Sequence, residues 1–477
     1  MLRKLPGDEV QNVVSTKPDS SLHWRPVIVR TPGIVFLIVH LARLVTALVR
    51  TVVRHPIACA LAGVTGGLVY FTDWRAWVSV AGVCVAGLAT WFSLWRPSFR
   101  ACVSLPALSW CRWMWIYRRK WQGVMAVAGL GRSLGGRAYM PDLVKVSCDQ
   151  FADHVTVRML AGQDPDEWAR VSAGLAHGFG SQRCRVVVIK PGRVRLVFPR
   201  HDALSEVIPP DPIPAHPHVH AAFAGLTEDG QRFRMRLHGT HVLVAGGTGA
   251  GKGSFLWAAV RGLLPATQAG LAELWGLDPK HMELSFGRAL FRRYAATPEE
   301  CADLLERAVG VMQERASRYG GVRRNHEPTE EDPFILVMVD EVAFLTAYQP
   351  DRNLKIRTMA ALSTLTTQGR AVGVGVMAAL QDPRKDVLNI RNLFPDRIAL
   401  RLDEAEQVDM VLGDGARDRG ALCDQIPRDP EDPSVGAGVA YVRLENRPEP
   451  IRVRAGFTSD SDIRQMVLQY AAAGEAV

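Results

Sequence analysis

His241-Val-Leu-Val-Ala-Gly-Gly-Thr-Gly-Ala-Gly-Lys252-Gly-Ser254 reads as a buried strand feeding a glycine-rich turn that opens a helix, the context a phosphate-binding loop requires. Gly246, Gly247, Gly249 and Gly251, with Thr248 and Ala250 among them, let the backbone curl so that successive N–H groups face inward. A helix expected over about 252–264 adds the positive end of its dipole. Lys252 supplies a mobile cation for the β- and γ-phosphates of a nucleotide. One position departs from the pattern. The residue after the lysine is ordinarily Ser or Thr, whose hydroxyl binds Mg²⁺; here it is Gly253, and Ser254 is the candidate to supply that hydroxyl one position late.

Downstream of about residue 218, short apolar strands alternate with helical stretches, as in an α/β sheet with helices on both faces. The strand expected at 274–277 runs into Asp278-Pro279-Lys280, and 300–319 is helical, with apolar residues at 304, 305, 308, 311 and 312. Phe334–Val339 is a continuous apolar run of the kind found in central parallel strands, and it terminates in Asp340-Glu341. A carboxylate pair at a strand end downstream of a phosphate loop assigns Asp340 to the magnesium and Glu341 to activation of the attacking water. The 371–380 stretch makes another buried strand. Gln381 at its end stands either as a γ-phosphate sensor or as a satisfied polar strand end.

Upstream, the composition changes. Residues 1–120 hold 15 Lys/Arg and 4 Asp/Glu, so the net charge of +9 belongs to the N-terminal part rather than to the α/β region. Two apolar runs, 57–71 and 76–95, flank the short polar turn Thr72-Asp73-Trp74-Arg75 and predict a transmembrane helical hairpin with aromatic residues at its ends. Residues 33–53 are apolar but carry His40, Arg43 and Arg50, which suits an interfacial helix. Arginines before and after the hairpin place both ends on the cytoplasmic side of the cell membrane. The first thirty residues lack the apolar stretch of a cleavable signal. Eight cysteines are scattered without a CxxC pair, which excludes a sequence-evident zinc site or disulfide framework.

The domain boundaries expected are a tail at 1–32, a membrane region at 33–96 and a basic, aromatic juxtamembrane linker at 97–141. A small α+β accessory domain follows at 142–207, with strands near 143–147, 154–160, 185–189 and 193–198 and a helix over 164–179. The proline-rich run 208–217 is expected to isolate it from an α/β domain at 218–457, and 458–477 forms a tail. Trp110, Trp113, Trp115 and Trp121, interleaved with Arg112, Arg118 and Arg119, suit a headgroup-level collar or a nucleic-acid surface; the collar is favoured because it follows a span.

In its motifs the chain resembles the FtsK/SpoIIIE family of membrane-tethered double-stranded DNA translocases over about 218–457. The phosphate loop, Asp278-Pro279-Lys280 with Glu283-Leu284, Glu314-Arg-Ala-Ser-Arg-Tyr319, Val339-Asp340-Glu341, and Phe394-Pro395-Asp396-Arg397-Ile398-Ala399 occur in the family's order. Within the family it is most similar to the transfer (Tra) proteins of actinomycete conjugative plasmids and integrated elements. These carry Gly-Lys-Gly-Ser and a segment like Leu412-Gly-Asp-Gly-Ala-Arg-Asp-Arg-Gly-Ala421. The resemblance implies a RecA-like P-loop ATPase domain, ATP and Mg²⁺ as cofactors, a homo-hexameric ring and duplex DNA as the partner threaded through it. It also implies an arginine donated across the subunit boundary, for which Arg397 is the candidate, with Arg370 and Arg401 close in sequence. The function it implies is a membrane-anchored, ATP-driven motor for conjugative transfer. Chromosome segregation at division and, from another class, protein secretion are the alternatives. For DNA contact the basic loops are 315–326 (Arg315, Arg318, Arg323, Arg324, His326) and 382–392 (Arg384, Lys385, Arg391); such contacts to phosphates need only cations and carry no sequence information. Past 451–457 there is room for at most one helix, so no winged-helix reader is evident.

Overall fold

The computed structural model describes residues 74–134, 137–384 and 389–471. The chain divides into two compact units, the first ending at Arg100 and the second beginning at Ala101. The expected interfacial helix at 33–53 and the first span at 57–71 lie outside the described residues. In the first unit, helix α1 (Trp74–Leu94) carries the second apolar run. Between Val78 and Leu94 none of its side chains is buried, and Val83 is 73% and Val85 65% exposed. Among the described residues no single helix is long and apolar enough to cross a membrane; 78–94 passes that test only when joined, across the break at Trp95, to the helical stretch 96–127.

The second unit begins with α2 (Leu105–Arg112) and α3 (Arg118–Val127), continuous through a π-helical turn at Trp113–Tyr117. These pack on a four-stranded antiparallel sheet of order β1-β2-β4-β3, made of β1 (Asp142–Cys148), β2 (Ala152–Arg158), β3 (Arg185–Lys190) and β4 (Arg193–Pro199). The expected single helix is two, α4 (Pro165–Arg170) and α5 (Ser172–Gly178). Here the structure corrects the domain boundary. Tyr117, Trp121, Met125 and Leu130, expected in a juxtamembrane linker, share one buried core with Val155, Leu196 and Phe198 of the sheet. The amphipathic period of this stretch serves that core, as does the charge of Arg112, while Arg118, Arg119 and Lys120 stay exposed. Fully buried Asp153 accepts hydrogen bonds from Tyr117 Oη at 2.9 Å and Arg200 Nε at 2.8 Å, and pairs with Arg112. Trp110 and Trp115 remain exposed.

The run after residue 207 does not isolate the two domains. Ile208 forms a parallel bridge to Gly456, and Ile208 O accepts the Phe457 N–H at 2.8 Å. Ile213 packs against the core of the large sheet. Prolines lack the donors for a ladder, but their fixed φ suits an extended strap bound at isolated points.

The large domain is a ten-stranded sheet. Its strands are β5 (Ala221–Thr227), β6 (Arg232–Arg236), β7 (Val242–Ala245), β8 (Ala272–Leu277), β9 (Arg293–Ala295), β10 (Phe334–Val339), β11 (Val374–Leu380), β12 (Asp396–Ala399), β13 (Val439–Leu444) and β14 (Arg447–Ala455). Their spatial order is β9-β8-β10-β11-β7-β12-β13-β14-β5-β6. From β9 to β12 all neighbours are parallel; from β12 to β6 all are antiparallel. The parallel strands read as unbroken apolar runs because both faces are covered. Leu243, Val337, Val339 and Ala378 face one core, and Val242, Val244, Leu336 and Met377 the other. Helices α6 (Lys252–Gln268), α7 (Pro298–Tyr319), α8 (Arg352–Gln368) and α9 (Ala405–Leu412) flank the sheet. Helix α6 runs a turn past its expected end, through Pro265. The final helix, α10 (Asp460–Tyr470), starts on a Ser459 capping box and buries Ile463 and Met466.

Candidate nucleotide site

The glycine loop leaves the carboxyl end of β7, between β11 and β12, and open α/β sheets hold their ligands at the carboxyl ends of their strands. Gly249 (φ 69°) and Gly251 (φ 94°) are left-handed, which points successive N–H groups into the concavity. Gly251 has a second reason to lack a side chain, since a Cβ there would stand 2.4 Å from the backbone nitrogen of Gly438. Lys252 opens α6, and its Nζ donates to the carbonyls of Gly246 at 2.8 Å and Gly247 at 3.3 Å, oxygens that stand in for those of a phosphate. Burial holds its ammonium below the ordinary value; Glu341 and Asp340 oppose that shift, and Lys280 adds to it. A cleft of about 380 Å³ continues from Gly247 and Thr248 between Arg401, Asp403 and Arg428.

Across from the loop lie the ends of β10 and β11. Burial, together with the charges of Asp278, Glu283 and Glu341, pushes the Asp340 carboxyl up to about 7. Crowded carboxylates of this kind want a cation, and a nucleotide-bound magnesium takes one or two carboxylates plus phosphate oxygens and water. The donor set fits that ion. Among the described residues no three His, Cys, Asp or Glu side chains gather into an all-protein cage. Glu341 is 2% exposed. Its Oε1 accepts the Gln381 N–H and its Oε2 the Lys280 Nζ, both at 3.3 Å. Gln381 Oε1 accepts the Thr248 hydroxyl at 3.3 Å, tying the end of β11 to the loop. The structure therefore brings Lys252, Asp340, Glu341 and Gln381 to one end of the sheet.

Arg397 is not there. It lies on β12 opposite Leu243, nearer the amino end of the parallel strands. It is 7% exposed and donates to the carbonyls of Phe394 at 2.8 Å and Val411 at 3.2 Å. Burial, with Arg443 and Arg391 nearby, draws its guanidinium down to about 10. In this structure the side chain is tied to its own subunit's carbonyls and is not presented at the surface. Arg370 also stands at the amino end, paired with Glu445, whereas Arg401 donates to Thr248 O at 3.0 Å beside the loop.

The two basic loops are corrected in part: Arg324 is exposed, but most of their other cations are already engaged. Arg315 is 3% exposed and donates to Val372 O and Pro333 O. Arg318 and Arg323 pair with Asp332, and His326 is buried. In the second loop Arg384 pairs with Asp382, Arg391 is buried, and Lys385 lies outside the described residues. Charge spacing alone does not distinguish a cation held by a carboxylate from one offered to a phosphate.

Sequence reasoning quoted Asp278, Lys280 and Glu283 without giving them roles. Asp278 is fully buried and accepts the N–H groups of Leu284 at 3.0 Å and Ser285 at 2.9 Å and the Tyr294 hydroxyl at 3.1 Å. It thereby folds 278–285 into a loop aimed at the glycine turn. His281 there, at φ 55°, is the only non-glycine residue with positive φ among the described residues. The signal available in sequence was a charged triad directly after a strand that neighbours the Asp340 strand.

Residues 226–412 match the FtsK/SpoIIIE family model, and residues 103–199 match the actinomycete conjugal transfer protein N-terminal domain. The DNA translocase FtsK of Listeria monocytogenes is 25% identical over 248 residues, which cover 48% of this chain and 30% of that protein. The chain thus spans under a third of the length of that relative. Among solved structures, the pCW3 conjugation coupling protein TcpA (monomer form with ATPγS) aligns over 74% of this chain and 98% of its own, at 18% identity and a TM-score of 0.47. The cytoplasmic domain of the Thermomonospora curvata type VII secretion ATPase EccC aligns over 56% and 32%, at 20% identity and a TM-score of 0.41. The P-loop domain of this chain is thus similar to the FtsK/SpoIIIE family, and the domain before it to the actinomycete conjugal transfer protein N-terminal domain.

Proposed function

We propose that the protein is an ATP-hydrolysing motor, anchored in the cell membrane as a homo-hexamer, that moves double-stranded DNA between cells in conjugative transfer. The observation that carries the reading is the convergence of Lys252, Asp340, Glu341 and Gln381 on a left-handed glycine loop at the carboxyl end of a parallel sheet. The conjugal-transfer domain at 103–199 favours transfer over chromosome segregation. The exposed apolar side chains of α1 suit a lipid surround.

In this reading the loop N–H groups from Gly246 to Gly251, with Lys252, hold the phosphates. Asp340 serves the magnesium ion, which neutralises phosphate charge when bound. Glu341 takes the proton of the attacking water. The Gln381 N–H and Lys280 hold its carboxylate in place. Gln381, bridged to Thr248, moves with the loop and reports the γ-phosphate to β11. Cycles of this kind would shift the elements that grip DNA phosphates.

ATP turnover of the full chain in detergent, with and without duplex DNA at low and moderate salt, tests the reading. Duplex stimulation that fades with salt is expected. Turnover indifferent to DNA would favour a protein-moving role instead.

A further inference from the structure

The absent hydroxyl at position 253 has a structural counterpart. A Cβ built on Gly253 would stand 2.1 Å from Oε1 and 2.8 Å from Oε2 of Glu283, so a side chain at 253 would push this carboxylate from its place. The carboxylate is fixed from two sides. Its Oε1 accepts the indole N–H of Trp257 at 2.9 Å, one helical turn beyond Gly253 on the same face, and Trp257 is itself locked in the core at 1% exposure. The loop that carries Glu283 is pinned by the Asp278 bonds to Leu284, Ser285 and Tyr294. Oε2 has no hydrogen-bond partner among the described residues. Ser254, by contrast, is turned about 100° around the helix from Gly253.

We propose that Glu283 takes the place of the P-loop hydroxyl, its carboxylate serving the magnesium of bound nucleotide from the face that Gly253 leaves open. This rests on the nucleotide reading above and names a residue that reading does not use. A carboxylate reaching in from the neighbouring loop brings a full negative charge where the usual hydroxyl brings none. Glycine at 253 is then a requirement of the arrangement, and the loop after β8 becomes part of the metal shell, so that movement of that loop and loading of the ion are coupled.

The test is binding of a fluorescent ATP analogue to the full chain in detergent, in EDTA and with Mg²⁺ or Mn²⁺, together with the Mn²⁺ paramagnetic resonance spectrum of the complex. Glu283→Gln keeps an acceptor for Trp257. It is expected to leave metal-free nucleotide affinity within about twofold, to reduce the metal-dependent gain about tenfold or more, and to alter the Mn²⁺ spectrum. Gly253→Ser is expected to lose the same gain by displacing the carboxylate, and the double variant Gly253→Ser/Glu283→Ala to recover most of it. An unchanged gain and spectrum in Glu283→Gln overturns the proposal. So does a tenfold loss in Ser254→Ala, which would return the role to that hydroxyl. Lys252→Ala separates the two levels of argument: normal nucleotide affinity in that variant removes the nucleotide reading itself, whatever Glu283 does.

Discussion

The two ends of the parallel strands use the same residue types to opposite effect. At the amino end, Asp332 receives Arg318 at 2.5 Å, Arg323 at 3.0 Å and the Tyr319 hydroxyl at 3.1 Å, and these donors hold its carboxyl at about 2. Asp396 likewise takes Arg236 and the Thr240 hydroxyl. At the carboxyl end, Asp340 faces three other acids, and burial among them pushes its carboxyl up to about 7. One end is neutralised by the chain itself, and the other is left short of positive charge. The difference teaches that a charge's role follows from the end of the strand it occupies: the helix amino terminus and the glycine loop are built at the carboxyl end, so only there does leaving carboxylates under-paired create affinity for a nucleotide's metal.

The largest effect should come from removing the buried cation of the glycine loop. Lys252→Ala is expected to abolish nucleotide binding, measured by analogue fluorescence, with the folded state retained. Next, Glu341→Gln should keep bound ATP yet lower turnover by about 10²-fold or more, the usual scale for losing a general base; wild-type turnover in that variant would place the base elsewhere.

The sharpest comparison substitutes the same residue at both ends. Asp332→Asn leaves Arg315 and its neighbours without their counter-charge and should destabilise by about 3 kcal/mol in denaturant titration, with nucleotide affinity of the folded protein unchanged. Because the Asp332 carboxyl is depressed in the fold, its contribution is present above the ordinary carboxylate value of about 4 and is lost as pH falls through about 2. Asp340→Asn should do the reverse. A carboxyl raised to about 7 opposes folding from about pH 4 upward, fully above about 7. The amide should therefore stabilise the nucleotide-free protein at pH 8, by roughly 1–2 kcal/mol after relaxation, and not at pH 4, while weakening metal-dependent nucleotide binding. Destabilisation by both substitutions at pH 8 would break the contrast.

The sequence by itself determined the repeating pattern and the local chemistry. The glycine loop, the apolar Phe334–Val339 strand and Asp340-Glu341 are contiguous signals whose meaning depends on neighbours in the chain, and all of them lie at one end of the sheet with Lys252 and Gln381. What only the tertiary structure decided concerns partners distant in sequence. Trp121 read as part of a collar because charge and aromatic content are the same for a lipid headgroup layer and for a helix clamped by Asp153. Arg397 read as available because its neighbours in sequence do not include Val411, whose carbonyl holds it. Gly253 read as a missing ligand because Glu283, thirty residues on, is brought against it only by the turn that Asp278 folds. Short-range steric and hydrogen-bonding rules act along the chain and can be read from it. Whether a charge is free or already spent is settled by which strand end and which loop it meets in space.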